Sequence, residues 1–143
     1  MAEECDLLRL LAEDAEDLGV IAAALQDAVA KIGDIRYEAC ARRLTIGFNR
    51  FRWEAGARTR ERIRSGVQFG GVLSVKARKL RRDAPNAVIE LLTLGFEAGE
   101  APGGVITLTF AGGGDLRLEV ECVDAVLSDV SQAWPARRVP EHG

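Results

Sequence analysis

The sequence predicts an α+β fold, in which one N-terminal helix packs on a curved antiparallel sheet, or on a small and partly open barrel, of about six to seven strands. Three observations predict it. One stretch near the N-terminus repeats apolar residues at helical spacing, whereas most of the chain after Gly33 alternates apolar and polar residues with a period of two. The links between the alternating stretches are short, which favours antiparallel pairing of consecutive strands.

The first elements expected along the chain are a short strand over residues 7–11 and a helix that begins near Asp14. Asp14 can cap the helix, and the carboxylates that follow it suit the positive end of the helix dipole. We expect the helix to end near Gly33, because glycine commonly closes a helix at its C-terminus. One apolar stripe marks the buried face of the helix: Leu18, Ile21, Ala22, Leu25, Ala28 and Val29.

Strands account for most of the remaining chain. Leu44, Ile46 and Phe48 alternate with other residues, and the phase then slips at residues 49–50, which predicts a β-bulge or a segment buried on both faces. Between Ile63 and Arg78 one parity is apolar and the other is basic. So long a strand is expected to bend at its glycines, which are Gly66, Gly70 and Gly71.

The last elements are expected to be three strands and a short helix. Residues 88–96 suit a central strand, and residues 105–110 and 116–122 suit a hairpin whose glycine-rich turn reads AGGGD. Apolar residues at helical spacing over 123–130 predict a short C-terminal helix. A pleckstrin-homology-like barrel is one topology that accommodates this order.

Size and hydropathy favour one domain. The chain has 143 residues, of which 48% are hydrophobic, so we expect a single domain over residues 1–143 with an irregular tail from about residue 131. The longest strongly apolar stretch, residues 19–25, is too short to cross a bilayer. The N-terminal residues MAEECD lack the basic region of a secretory signal, so we expect a cytoplasmic protein that does not bind membranes.

Charge is segregated into three blocks along the chain. Residues 1–41 hold ten acidic and three basic side chains, residues 42–82 hold two acidic and thirteen basic ones, and residues 83–143 hold ten acidic and three basic ones. The basic block suggests two alternatives. Its arginines bind nucleic acid or another polyanion, or they are neutralised by carboxylates of the flanking blocks, within one molecule or across a dimer.

The polyanion hypothesis places the site in segment 50–82. Arginine suits bidentate contact with phosphate, and the basic residues are interleaved with aromatic ones that can stack on bases. The overall negative charge of −3 argues against strong nucleic-acid binding. The candidate binding residues are Arg50, Arg52, Arg58, Arg60, Arg62, Arg64, Lys76 and Arg78.

Several kinds of chemistry are not supported by the sequence. The single histidine, His142, is next to the last residue, which disfavours a histidine-based triad or a histidine-bound metal. The three cysteines include no CxxC pair, and no glycine-rich stretch has the spacing or the following helix of a phosphate-binding loop. We therefore expect no catalytic residues, no metal site and no cofactor.

Three distinctive strings carry a resemblance to a known family: LLAEDAEDLGVIAAALQDAV, FNRFRWE and EAPGGVITLTFAGGGDLRLEVECVDAVLSDV. They resemble a bacterial, mainly alphaproteobacterial, family catalogued as a domain of unknown function (DUF2948-like). The resemblance runs over nearly the whole chain and implies a complete domain in a bacterial cytoplasm. It implies no catalytic or binding residues.

Two functions follow as expectations from these observations. The first is a non-enzymatic protein-interaction module, whose partner is another protein or a second copy of the chain. The second is nucleic-acid or other polyanion binding through the arginine-rich segment 50–82. The absence of a catalytic constellation and the segregated charge favour the first over the second, and also over a third alternative, an enzyme that acts through carboxylates and arginine.

Overall fold

The computed structural model describes residues 7–51, 61–130 and 134–135. Over these residues the chain forms one α-helix and eleven β-strands, with turns of 3-10 helix at Ile32–Asp34 and Ala39–Ala41. The helix, α1, spans Ala15–Ala24. The strands are β1 Arg9–Ala12, β2 Val29–Lys31, β3 Ile35–Glu38, β4 Arg43–Phe51, β5 Glu61–Phe69, β6 Val72–Arg78, β7 Val88–Ala98, β8 Gly104–Phe110, β9 Asp115–Val120, β10 Ala125–Asp129 and β11 Trp134–Pro135. No helix in these ranges is long and apolar enough to cross a membrane.

The strands form one antiparallel sheet in the order β1-β10-β5-β4-β2-β7-β8-β9-β6. Two strands lie off this path. β3 pairs with the same edge of β4 as β2 does, and β11 pairs with β5. The antiparallel sheet with one helix confirms the predicted class, but the strands outnumber the six to seven expected. Four strands were not expected. β2, β3 and β11 have three, four and two residues, too few for a period-two pattern to stand out, and β10 lies where a helix was predicted.

The helix begins as predicted and ends earlier. The Asp17 amide donates to Asp14 Oδ1 at 2.8 Å, which caps the first turn. The prediction that the helix continues to Gly33 is wrong, because the helix ends at Ala24 with Leu25 as its C-cap, and Asp27 adopts a left-handed φ of 63°. The backbone beyond Asp27 then pairs with β7, since the Leu91 amide donates to the Ala28 carbonyl at 2.9 Å. The helix packs against β1 and β7.

The predicted C-terminal helix is a strand. Ala125, Leu127 and Asp129 are buried while the residues between them are half-buried, so β10 follows a period of two. It lies between β1 and β5 and pairs with both. The local structure is set by the burial of alternate side chains in the sheet, and not by the helical spacing of the valines. The tail predicted to be irregular from about residue 131 contains β11, and its remaining residues lie outside the described ranges.

The predicted alternation in the arginine-rich region is confirmed for β4 and β5. Buried and half-buried residues alternate without a break along β4, and its register with β5 is regular from Leu44 opposite Phe69 to Phe51 opposite Arg62. The bulge predicted at residues 49–50 is therefore wrong. The apparent slip in phase arises because Arg50 takes an inward position and Phe51 an outward one.

The inward side chains form one continuous apolar cluster. It combines the buried face of α1 with alternate residues of the strands, and its largest members include Phe48, Phe69 and Phe110, each 0% exposed. The chain breaks at Gly70–Gly71 as predicted, but β5 and β6 on either side of the break are not neighbours in the sheet. Consequently, the basic residues that alternate along β5 and those that alternate along β6 do not form one continuous face.

Candidate functional site

Arginines of the central basic block form ion pairs with carboxylates of the two acidic blocks. The acceptors come from both sides of the sequence, so the segregated charges of the sequence meet in the folded molecule. This is the internal charge balance that the sequence offered as one of its alternatives. The pairs are Arg42–Glu121, Arg43–Glu38, Arg50–Asp129, Arg64–Asp34 and Arg78–Asp115.

The most buried of these pairs is Arg50 with Asp129, both of whose side chains are 0% exposed. Arg50 Nε donates to Asp129 Oδ1 at 2.9 Å and Nη2 donates to Oδ2 at 2.8 Å, a bidentate arrangement. Ser65 Oγ donates to Oδ1 at 2.6 Å, and the Leu8 amide donates to Oδ2 at 2.8 Å. Arg50 Nη1 donates to the Phe51 carbonyl at 2.9 Å. The cluster thus ties β4, β5 and β10 to the chain just before β1.

The Asp129 carboxylate is charged in this interior. Burial would raise its pKa, but hydrogen bonds from Arg50, Ser65 and the Leu8 amide, together with the Arg50 charge, outweigh burial and lower the pKa below its ordinary value. Ser65 is 1% exposed and its hydroxyl donates a hydrogen bond to Asp129, so it is not placed to attack a substrate. Arg50, a candidate for polyanion binding, lies in the interior and does not reach a surface ligand.

Two other candidates for polyanion binding, Arg62 and Arg64, are outward residues of β5. The Arg62 guanidinium lies over the Phe51 ring, with Cζ 4.1 Å from the ring centroid, and Nη1 donates to the Asn49 carbonyl at 3.3 Å. Burial lowers the pKa of Arg62, and Glu90 acts in the opposite direction. Arg64 Nη2 pairs with Asp34 Oδ2 at 2.9 Å, and its side chain lies over the bare backbone of Gly47.

The remaining candidates are on β6 or outside the described residues. Lys76 and Arg78 point outward from β6, which among the described strands pairs only with β9. They are therefore not on a strand next to β5, which carries Arg62 and Arg64. Arg78 donates to Asp115 Oδ2 at 2.8 Å. Lys76 is opposite Arg117 of β9, and neither has a carboxylate within ion-pair distance among the described residues. Arg52, Arg58 and Arg60 lie outside the described ranges.

An apolar cleft separates β3 from β6, a feature that the sequence did not predict. Its volume is about 360 Å³, within the range of ligand-binding clefts. We call it the β3–β6 cleft. Its lining includes Ile35, Tyr37, Leu44, Val75, Ala77 and Leu116.

The cleft is closed at one end and covered by a loop at the other. At the closed end the Val72 amide donates to the Arg42 carbonyl at 2.9 Å, and Tyr37 Oη donates to the Val72 carbonyl at 3.4 Å. At the other end the Gly33 amide donates to the Pro85 carbonyl at 2.8 Å, and Leu80 lines the cleft. Between these ends, the edges of β3 and β6 that face the cleft pair with no strand in the described part of the chain.

Basic residues follow β6 at the covered end of the cleft. Lys79, Arg81 and Arg82 are exposed, and Arg82 is part of the cleft lining. We call these three residues the basic lip. The carboxylate nearest to them in sequence, Asp83, approaches Arg81 Nε only to 3.8 Å, and both side chains are at least 75% exposed. At the closed end, by contrast, the arginines Arg42 and Arg43 are each paired with a glutamate.

Sequence reasoning missed the cleft because its parts look like ordinary core positions. Val75 lies on the apolar parity that the sequence assigned to the interior, and Leu44 belongs to the alternation of β4. A signal that could have pointed to it is the single tyrosine, Tyr37, in a stretch without clear periodicity. Within the ranges described, no three histidine, cysteine, aspartate or glutamate side chains are grouped so that they could hold a metal ion.

Comparisons with known proteins give a family but no activity. A family described as a protein of unknown function (DUF2948) matches residues 8–142, so the chain belongs to that family. No curated protein and no solved structure matches the chain.

Proposed function

We propose, for this member of a family without an assigned activity, that the chain is a non-enzymatic protein-interaction module that binds an extended segment of a partner protein in the β3–β6 cleft. One observation carries the proposal: within the described ranges the edges of β3 and β6 have no pairing strand, and they flank an apolar cleft. An edge strand offers a row of unpaired backbone donors and acceptors. An extended peptide can satisfy that row while its alternate side chains fill the pockets beside it.

The dimensions of the cleft suit a short extended segment. β6 has seven residues and β3 has four, so a segment of about four to six residues could pair along the edge. Val75 is half-buried and Ala77 is exposed, although both line the cleft, because no side chain of the described residues covers them. A bound segment would remove this apolar surface from water, at about 25 cal/mol per Å².

The proposal is tested with a library of short extended peptides displayed on phage. Ala77→Phe fills the cleft, and Leu73→Phe places the same aromatic side chain on the same strand at an exposed residue that does not line the cleft. Peptides selected by the native protein should bind Ala77→Phe about tenfold more weakly and Leu73→Phe unchanged. Their binding should shift the backbone NMR signals of β3 and β6. Equal binding to both variants, or signal shifts confined to other strands, would show that the cleft is not the site.

A second candidate function is polyanion binding on the outward face of β6. The observation that favours it is the placement of Lys76 opposite Arg117, since like charges that face each other across a sheet are unfavourable unless countered. A bound phosphate would supply the missing negative charge. The basic lip and Arg78 would extend this surface, whereas Arg50 would take no part in it.

Fluorescence anisotropy with a labelled single-stranded oligonucleotide tests the second candidate. If about six phosphates are contacted, affinity should fall on the order of a thousandfold between low and moderate salt. Exchange of both Lys76 and Arg117 for glutamine should weaken binding, while Arg36→Gln, which removes an exposed charge from β3, should not. Absence of binding at about 50 mM salt would eliminate this function.

Two finer predictions accompany the proposal. A cytoplasmic location is expected, and cell fractionation checks it. A pleckstrin-homology-like closure of the sheet also remains a prediction, and the free edges of β3 and β6 are where such closure would take place.

A further inference from the structure

We infer that the segment bound in the β3–β6 cleft belongs to a different protein and carries carboxylates at the end that meets the basic lip. This inference rests on the proposed function, because it specifies the partner of the same cleft. It follows from the distribution of charge around the cleft, which is unequal at its two ends.

The basic lip carries three positive charges and only one nearby carboxylate in the sequence. Lys79, Arg81 and Arg82 are exposed, and Asp83 is 3.8 Å from Arg81. Because Arg82 also lines the cleft, a ligand that enters the cleft comes to lie beside this residue. Arginine presents a planar fork of donors that fits a carboxylate in a bidentate manner. A carboxylate on the ligand would therefore find its partner at this end.

The closed end of the cleft offers no such charge. Arg43 Nε donates to Glu38 Oε1 at 3.0 Å, and Arg42 pairs with Glu121. The charges of these arginines are therefore already compensated within the molecule. The ligand is expected to be asymmetric as a result, with its acidic residues at one end and apolar or neutral residues along the rest.

The charge of β6 disfavours a second copy of the same strand as the occupant. Lys76 lies on β6 and has no carboxylate within ion-pair distance among the described residues, so pairing of two β6 edges would bring the Lys76 charges of both copies together. Like charges in such a position oppose association, most strongly at low salt. An acidic segment of another protein has the complementary charge, so it is the occupant that the described residues favour.

The test compares labelled peptides of about nine residues, long enough for a strand of five or six residues and a charged flank. They share an alternating valine and threonine segment and differ in a flank of glutamates, glutamines or lysines, which is placed at either end. An acidic peptide should bind more tightly than its glutamine counterpart by about five- to tenfold at low salt, since exposed ion pairs are individually weak. The lysine peptides should bind most weakly. High salt should remove most of these differences.

Matched variants assign the effect to the lip. Exchange of Arg81 and Arg82 for glutamine should remove most of the preference for the acidic flank, while Arg36→Gln, which takes an arginine from the other face of β3, should retain it. Ala77→Phe should weaken all peptides alike, because it blocks the apolar part of the cleft. A glutamate and serine peptide without valine should not bind.

The outcomes distinguish the proposed interaction module from the further inference that its partner is acidic. If acidic and glutamine peptides bind equally and Ala77→Phe weakens both, the acidic partner is excluded and the interaction module stands. If no peptide binds at about 1 mM, the weak limit of specific binding, the proposed function itself fails. If acidic peptides bind Ala77→Phe as well as the native protein, the basic surface acts without the cleft, and both the interaction module and the acidic partner are overturned in favour of a polyanion site.

Discussion

Arg50 and Asp129 are joined by two hydrogen bonds of 2.9 and 2.8 Å in the interior, with no exposed surface on either side chain. One partner comes from the basic block of the sequence and the other from the last acidic block. A buried pair of this kind is costly to break on one side only, because removal of one partner leaves the other charge in the interior without compensation.

Exchange of Asp129 for asparagine should therefore destabilise the fold by about 3–5 kcal/mol. The free energy of unfolding in urea measures the effect. Asp34→Asn is the matched control, since it breaks the pair with Arg64 whose side chains are each 35% exposed, and it should cost less than about 1 kcal/mol. Equal losses in the two variants would contradict the special role of the buried pair.

Stability should decrease in acid because of Asp129. Its pKa is lower in the folded chain than the ordinary value near 3.8, so the folded state favours the charged form. The corresponding stabilisation is complete above the ordinary pKa and is lost as the pH falls through the lower pKa of the folded state. Urea unfolding across this acid range measures the slope, and Asp129→Asn should show a shallower one. A slope identical in both proteins would mean that carboxylates other than Asp129 cause the loss of stability in acid.

Two opposed glycines on the outward face of β4 and β5 should respond differently to alanine. Gly66 has open space at its Cβ position, so Gly66→Ala should stabilise by about 0.4–1 kcal/mol through the unfolded chain. A Cβ on Gly47 would lie 2.4 Å from Arg64 Nη2, so the Arg64 guanidinium would have to leave its position beside Asp34. Gly47→Ala should therefore stabilise the protein less than Gly66→Ala does, or should destabilise it. Thermal unfolding compares the two, and equal shifts would contradict the observed position of Arg64.

Ala77→Phe should leave stability nearly unchanged, within about 0.5 kcal/mol, because Ala77 is exposed at the open side of the cleft. Leu44 lines the same cleft but is 0% exposed, so Leu44→Phe should cost about 1–3 kcal/mol through overpacking. Chemical unfolding of both variants checks the difference. A large loss for Ala77→Phe would mean that this side of the cleft is closed in solution.

The chain should not dimerise through β6 at low salt. Light scattering coupled to size exclusion, at about 50 mM and at about 0.5 M salt, measures the mass. A dimer that forms at low salt and is abolished by Ala77→Phe would contradict the charge argument for β6. Dimerisation that is insensitive to this substitution would point to another surface.

The sequence was most informative where one face of a strand is buried. Leu44, Ile46 and Phe48 on β4, and Val67 and Phe69 on β5, are fully buried as their spacing indicates. These positions obey a local rule, because alternate side chains of a strand point to opposite faces. The cap of the helix is local in the same sense, since Asp14 and Asp17 are three residues apart.

Errors arose where distant partners decide the local structure. The apolar residues after Asp27 fit a helix by spacing, but pairing with β7 draws them into a strand. Val126 and Val130 also fit a helix, while β1 and β5 on either side of β10 fix a strand. Arg50 was assigned to the surface because arginine is rarely buried, and its partner Asp129 is 79 residues away.

The candidate site was beyond prediction for a similar reason. The cleft exists because, in the part of the chain that the structure describes, β3 and β6 each have a neighbour on one side only, which is a property of the strand order. No periodicity in the sequence encodes that order. The basic residues of the cleft entrance were visible as part of the basic block, but the sequence could not distinguish Arg82, which lines the cleft, from Arg50, which is buried.

The placement of β10 has a consequence for how the chain folds during synthesis. Among the described strands β1 has no neighbour in the sheet except β10, and the Leu8 amide reaches a carboxylate 121 residues further along the chain. β1 can therefore not pair in the sheet, after it leaves the ribosome, until β10 has been made. We expect β1 to be among the last segments to become protected from hydrogen exchange, and folding to be slow for a protein of this size, because such distant contacts carry a large entropic cost.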